Sequence, residues 1–141
     1  MKRALLWLLA MFVAIQLVPY GHSHANPAVV AEPPWDAPET RALAVRACFD
    51  CHSNQTRWPF YAYVAPVSWL LESDVEGGRR HLNFSEWNRP QQHAGDAAAI
   101  VSEGDMPLRK YLLLHPAARL TDAERNRLVE GLTKMFGSGG R

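Results

Sequence analysis

Cys48 and Cys51 are the only cysteines in the chain, and His52 follows the second directly. On a helix, thiols three positions apart share one face. Two such sulfurs reach one edge of a flat macrocycle, where each adds to a vinyl group as a thioether. The next residue then turns its imidazole beneath a central iron. Cys48-Phe49-Asp50-Cys51-His52 therefore reads as a haem c attachment sequence: Cys48 and Cys51 are the covalent links to one haem, and His52 is the proximal iron ligand. Other readings of the pair fit less well. A disulfide framework needs more cysteines at wider spacing, and a bridge across so short a loop adds little stability. A thioredoxin-like pair belongs at a strand-to-helix junction. A structural zinc site needs four ligands, and the histidines here are scattered.

The best candidate for the distal ligand is Met106, in Gly104-Asp105-Met106-Pro107. A thioether is a soft, neutral ligand for iron, and proline restricts the residue before it. The competing reading is a methionine that fills a core gap. Met135 shares a stripe with Leu128 and Leu132 and reads as core, and Met11 lies in the leader. His81, His93 and His115 are rival ligands, each set among polar or turn residues. His22 and His24 are expected to be solvated in a linker. Trp58, Phe60, Tyr61, Tyr63 and Trp69 are candidates to cover the porphyrin faces, and Arg57, Arg79 and Arg80 to pair with propionates. Asn54-Gln55-Thr56 has the form of a glycosylation sequon and is read as a plain loop.

Short helices must position these groups. Asp36 with Glu39 predicts a capping box before a first domain helix, with Pro38 in its first turn and Leu43, Ala47 and Cys51 along one face. A second helix is expected from Pro66 to Glu76, stopped by Gly77 and Gly78. Ser85 is expected to cap a turn that carries Trp87. A third helix is expected from Gln91 to Glu103, ended by Gly104. Thr121 and Glu124 predict a capped final helix with the apolar stripe Leu128, Leu132, Met135 and Phe136. No alternating strand pattern is visible. The fold class read from this is all-α: a small cytochrome c-like helical domain around one covalently bound haem, preceded by an N-terminal hydrophobic helix.

Lys2 and Arg3 precede an apolar run from Ala4 to Val18, the pattern of an export signal. As a helix, that run spans about 22 Å at 1.5 Å per residue, which is short against a hydrocarbon core of about 30 Å. Ser23 and Ala25 would suit a cut after Ala25. The alternative is an uncleaved anchor with Tyr20 at the interface, and the balance leans to the anchor. The domain reading is 1–25 as signal peptide or anchor, 26–34 as linker, 35–136 as the haem-binding domain and 137–141 as a flexible tail. The 141 residues suffice for one domain, and a net charge of +1, partly owed to Lys2 and Arg3, leaves no basic stripe for nucleic acid.

With these residues in view, the chain resembles the bacterial haem-binding domain family of small mono-haem c-type proteins. The matching segments are C-F-D-C-H-S-N-Q-T-R-W-P-F-Y at 48–61, A-P-V-S-W-L at 65–70, D-V-E-G-G-R at 74–79, L-N-F-S-E-W at 82–87, G-D-M-P at 104–107 and H-P-A-A-R-L-T at 115–121. The likeness runs from about Trp35 to Phe136. I-Q-L-V-P-Y at 15–20 also resembles the family's anchor region. The resemblance implies an all-α cytochrome c-like fold exported in Gram-negative bacteria, with Cys48, Cys51 and His52 at the haem motif and Met106 at the Met-Pro position. Leu108 stands where the family usually carries a second proline. The expected function is single-electron transfer, not catalysis, on the periplasmic side of the inner membrane. The expected partners are periplasmic or inner-membrane redox proteins, with a membrane tether through residues 4–20. The alternative is a haem-based, peroxidase-like enzyme, or a gas or redox sensor, with an open distal site.

Overall fold

Seven α-helices and three 3-10 turns carry the chain in a computed structural model that describes residues 1–137; most of the expected tail, 138–141, lies outside the described residues. The first helix, α1 (Lys2–Ile15), buries none of its side chains. α2 (Pro38–Ala47) starts with proline at its first position, where the missing N–H costs nothing, and has Glu39 in its first turn and Arg46 in its last, complementing the helix dipole. The capping box expected from Asp36 does not form. Ala37 is the N-cap, and the Asp36 carboxylate lies against Gly131 of the last helix instead. The helix breaks at Cys48, and one further turn, α3 (Phe49–His52), carries the rest of the motif.

α4 (Val67–His81) runs straight through Gly77 and Gly78, which were expected to stop it. The reason is packing. α3 approaches α4 so closely that a Cβ on Gly78 would strike the carbonyl of Cys51. Glycine here permits close contact between helices. α5 (Ala97–Glu103) is shorter than expected and follows a 3-10 turn at Ala94–Asp96; Gly104, in the left-handed region, ends it as expected. α6 (Arg109–Leu114) and a 3-10 turn at Pro116–Ala118 have no counterpart in the sequence reading. α7 (Asp122–Phe136) has the predicted box: Glu124 N–H donates to the Thr121 hydroxyl at 3.3 Å, and Thr121 N–H donates to the Glu124 carboxylate at 2.8 Å. Among the described residues there is no strand, only an isolated bridge between Ala31 and Glu86. The all-α class holds.

α7 packs on α2 and α5, and α3 on α4. Leu128 and Leu132 of α7 are fully buried with Leu43, Phe49, Phe84 and Val101, and Met135 and Phe136 pack against that core. The Phe49 and Phe84 rings stack at 5.6 Å, and Trp87 stacks on Phe136 at 4.8 Å. Ser85 does not cap a turn. It is fully buried, and its hydroxyl accepts the Asn54 N–H.

The segment between α1 and α2 is irregular but moored. Gln16 bonds Ala65 in both directions, at 3.1 and 2.9 Å. Gly21, at φ +79°, lies against the Ser68 carbonyl, where a Cβ would have no room. His24 bonds the Ala62 carbonyl at 2.8 Å, and its ring meets those of Trp58 and Tyr63. His22 and His24 are therefore half-buried, not solvated as a free linker would leave them. Further along, Glu32 accepts from Trp35 and, through both oxygens, from Arg41, each at 2.7 Å.

Candidate functional site

A cavity of about 370 Å³ opens between α3, the C-terminal half of α4, α5 and the loop before α6. Cys48, Cys51 and His52 line it together with Met106, which lies far from them in sequence. Its apolar walls include Leu82, Phe84, Ile100, Val101 and Leu132.

Each side chain has a local cause. The break at Cys48 and the single turn that follows bring both thiols and the imidazole to the cavity. His52 is held from two sides: its carbonyl accepts the Phe84 N–H at 2.8 Å, and its Nδ1 lies 3.1 Å from the Leu82 carbonyl. A carbonyl can only accept, so Nδ1 carries the proton and Nε2 keeps its lone pair. A histidine that ligates a metal is oriented in this way. Burial lowers the His52 pKa, favouring the neutral ring a metal needs. Both thiols are free, and burial, first among the causes, pushes each up to about 12. Redox-active C-x-x-C pairs are shifted the opposite way, which argues against thiol–disulfide exchange. Met106 is half-buried against the core and shares the cavity with Pro107 and Leu108.

The rival histidines separate. His81 and His93 also line the cavity, with rings 5.1 Å apart, and His81 Nδ1 donates to the Gly77 carbonyl at 2.8 Å. His115 lies elsewhere, stacked on Tyr111 at 4.0 Å, within 3.2 Å of the Tyr61 hydroxyl and lining a second cavity of about 170 Å³. The aromatic run after the motif does not wall the first cavity. Trp58 and Tyr61 line the second, and Phe60 is 85% exposed. Phe84 and Tyr111 supply the aromatic walls instead.

The arginines are engaged in the fold. Arg57 pairs with Asp50 at 3.1 Å, Arg79 donates to the carbonyls of Ser53 and Ala25 and to Asn26 and Thr56, and Arg80 approaches Glu76 at 3.9 Å. Asn54 is buried and donates to Ala28 and Glu86, so the sequon has no free acceptor amide.

Sequence reasoning missed Asp50 and Tyr111. Asp50, between the two cysteines, is buried; it accepts from Arg57 and, at 2.7 Å, from the hydroxyl of Tyr111, 61 positions away. Burial, then the bond to Asp50, raises the Tyr111 pKa, so the phenol stays a donor. No local signal pairs these residues.

The donor set fits haem: two thiols at one edge, an imidazole whose outer nitrogen is already committed, a thioether in the same cavity, and apolar walls. A family model described as a haem-binding domain matches residues 10–134 of the chain. No curated protein and no solved structure gives a significant match.

Proposed function

Because the chain belongs to the haem-binding domain family, with haem as its cofactor, we propose that it holds one haem c covalently. In this reading it passes single electrons on the periplasmic side of the bacterial inner membrane. The observation that carries the reading is the His52–Leu82 hydrogen bond, which leaves Nε2 free in the cavity shared with Cys48, Cys51 and Met106. Cys48 and Cys51 would hold the ring as thioethers, and His52 and Met106 would supply the nitrogen and sulfur ligands to its iron. The bound haem supplies a one-electron ferric/ferrous couple. The protein's own residues set its level. The Met106 thioether favours the reduced state relative to a second imidazole, and the apolar walls limit water. His52 keeps its proton on Nδ1, donated to the Leu82 carbonyl.

What supports a retained leader is the mooring of residues 16–26. A cut after Ala25 would remove the Gln16–Ala65 pair, the Gly21 contact and the His24 contacts from the folded domain. Among the described residues no helix is long and apolar enough to cross a membrane. The anchor reading therefore rests on a short apolar helix, with Lys2 and Arg3 on the cytoplasmic side.

The test is spectroscopic. Haem should stay with the protein through acid–acetone extraction, and Cys48→Ala or Cys51→Ala should weaken or abolish that attachment. The iron should be low-spin in both redox states, with a near-infrared sulfur-to-iron band when oxidised. Met106→Ala should shift it toward high spin and lower its potential, while His81→Ala and His115→Ala leave the spectrum nearly unchanged. A high-spin native protein that binds carbon monoxide readily would instead mark an open distal site, and peroxide turnover would become the assay of choice.

A further inference from the structure

From Ala4 to Ala31 the chain has no charged residue, and from Trp58 to Leu71 again none. The fold brings these two stretches together. The 3-10 turn Phe60–Tyr63 packs on the start of α4, and the base of α1 is fastened there through Gln16 and Ala65. Around that attachment Phe60, Tyr63, Val64, Val67 and Leu70 are all exposed, Phe60 at 85% and Leu70 at 57%. Val67 and Leu70 share the wall of the second cavity with Leu114 of α6, which extends the apolar surface past α4. A soluble monomer rarely leaves so continuous a patch of large apolar side chains in water.

We propose that this collar is a membrane seat: the domain rests on the lipid bilayer through residues 60–70 and Leu114, around the point where α1 enters it. This rests on the anchor reading above. Two observations commit the surface to lipid. The collar is continuous with α1, whose every side chain is unburied and which is apolar on all faces between Ala4 and Ile15. The dimensions also require it. Fourteen helical residues span about 21 Å, against a hydrocarbon core of about 30 Å. An apolar surface at the interface sinks by about 5–10 Å, which makes up the missing 9 Å or so. Tyr20 and Tyr63 then lie at headgroup level, where tyrosine is favoured. The seat also orients the site. The first turns of α4 face lipid, and its later residues, among them Gly77, Gly78 and His81, line the haem cavity further along the helix.

The experiment uses the full haem-loaded chain in vesicles of phosphatidylethanolamine and phosphatidylglycerol. The photoreactive residue benzoylphenylalanine is placed at position 60, at position 70 or, as control, at position 134 on α7. After illumination, mass spectrometry should find lipid adducts at 60 and 70 and none at 134. Flotation with the vesicles but no lipid adduct at 60 and 70 overturns the seat alone and leaves the anchor standing. Adducts between two copies of the chain overturn it in favour of self-association. Failure to float overturns the seat and the anchor together.

Discussion

Asp50 sits between the two motif cysteines, yet its partners lie on other elements. Its pair with Arg57 is outward, with the arginine side chain 70% exposed, and such pairs contribute little. Its bond from the Tyr111 hydroxyl is shorter, half-buried and charge-assisted. Magnitude therefore favours the tyrosine. Tyr111→Phe should cost about 1.5 kcal/mol, the low end for a hydrogen bond to a charged group, while Arg57→Ala should cost less than about 1 kcal/mol. Urea midpoints on the haem-loaded protein measure both, and the reverse order would show that Arg57 is the main support. At this scale the candidate ligands were legible because the haem motif is written in five consecutive residues. The Asp50–Tyr111 bond was not, because it exists only once α6 returns to α3.

α3 and α4 meet at Gly78, and the neighbouring glycine supplies the control. Gly78→Ala would drive a methyl into the Cys51 carbonyl, forcing α3 off α4. The expected cost is about 1–3 kcal/mol, as for overpacking, with a drop in covalently attached haem on a haem-stained gel. At Gly77 the nearest atom is the end of Arg80, at 3.9 Å. Gly77→Ala should therefore be neutral or stabilise the helix by up to about 1 kcal/mol, the helix propensity gain; Gly77 also lines the cavity, so the two variants are compared on stability alone. Equal effects at both positions would remove the packing argument. Glu32 tests the mooring of the linker. Its hydrogen bonds with Arg41 hold its pKa below the ordinary value of 4.5. A depressed carboxylate stabilises the fold above its ordinary pKa and loses that contribution as pH falls through its folded value. Glu32→Gln should thus cost about 1 kcal/mol at neutral pH. The gap between variant and native protein should close below pH 4.5, as read by thermal unfolding across pH; a gap that widens there would contradict the pairing. The α7 capping box was legible because both partners lie within one turn. Asp36 and Glu39 carry the same pattern, but Asp36 turns to Gly131 instead. Gly77 and Gly78 look like a helix stop until α3 is laid against them.

At the scale of the molecule, residues 16–26 are moored to the domain that follows, and the family model begins inside α1. The membrane-extracted protein should therefore have the intact mass of the whole chain plus one haem. A mass starting at Asn26 would show that export removes the segment and that the domain holds without it. The sequence by itself determined the Cys/Cys/His motif, the helical class and the apolar character of the N-terminal helix, because each is set by neighbours within a few positions: C-x-x-C-H, a 3.6-residue apolar period, and an uncharged run behind Lys2 and Arg3. Only the tertiary structure decided that Met106 shares the motif's cavity, which carbonyl fixes the His52 tautomer, and that His22 and His24 are half-buried against the domain. It also decided that Trp58 and Tyr61 line the second cavity and not the first, with Trp58 and Tyr63 packed on His24. Those outcomes depend on which helices touch, and helix contacts are settled by the fit of surfaces far apart in the chain, of which Gly78 against Cys51 is the clearest case.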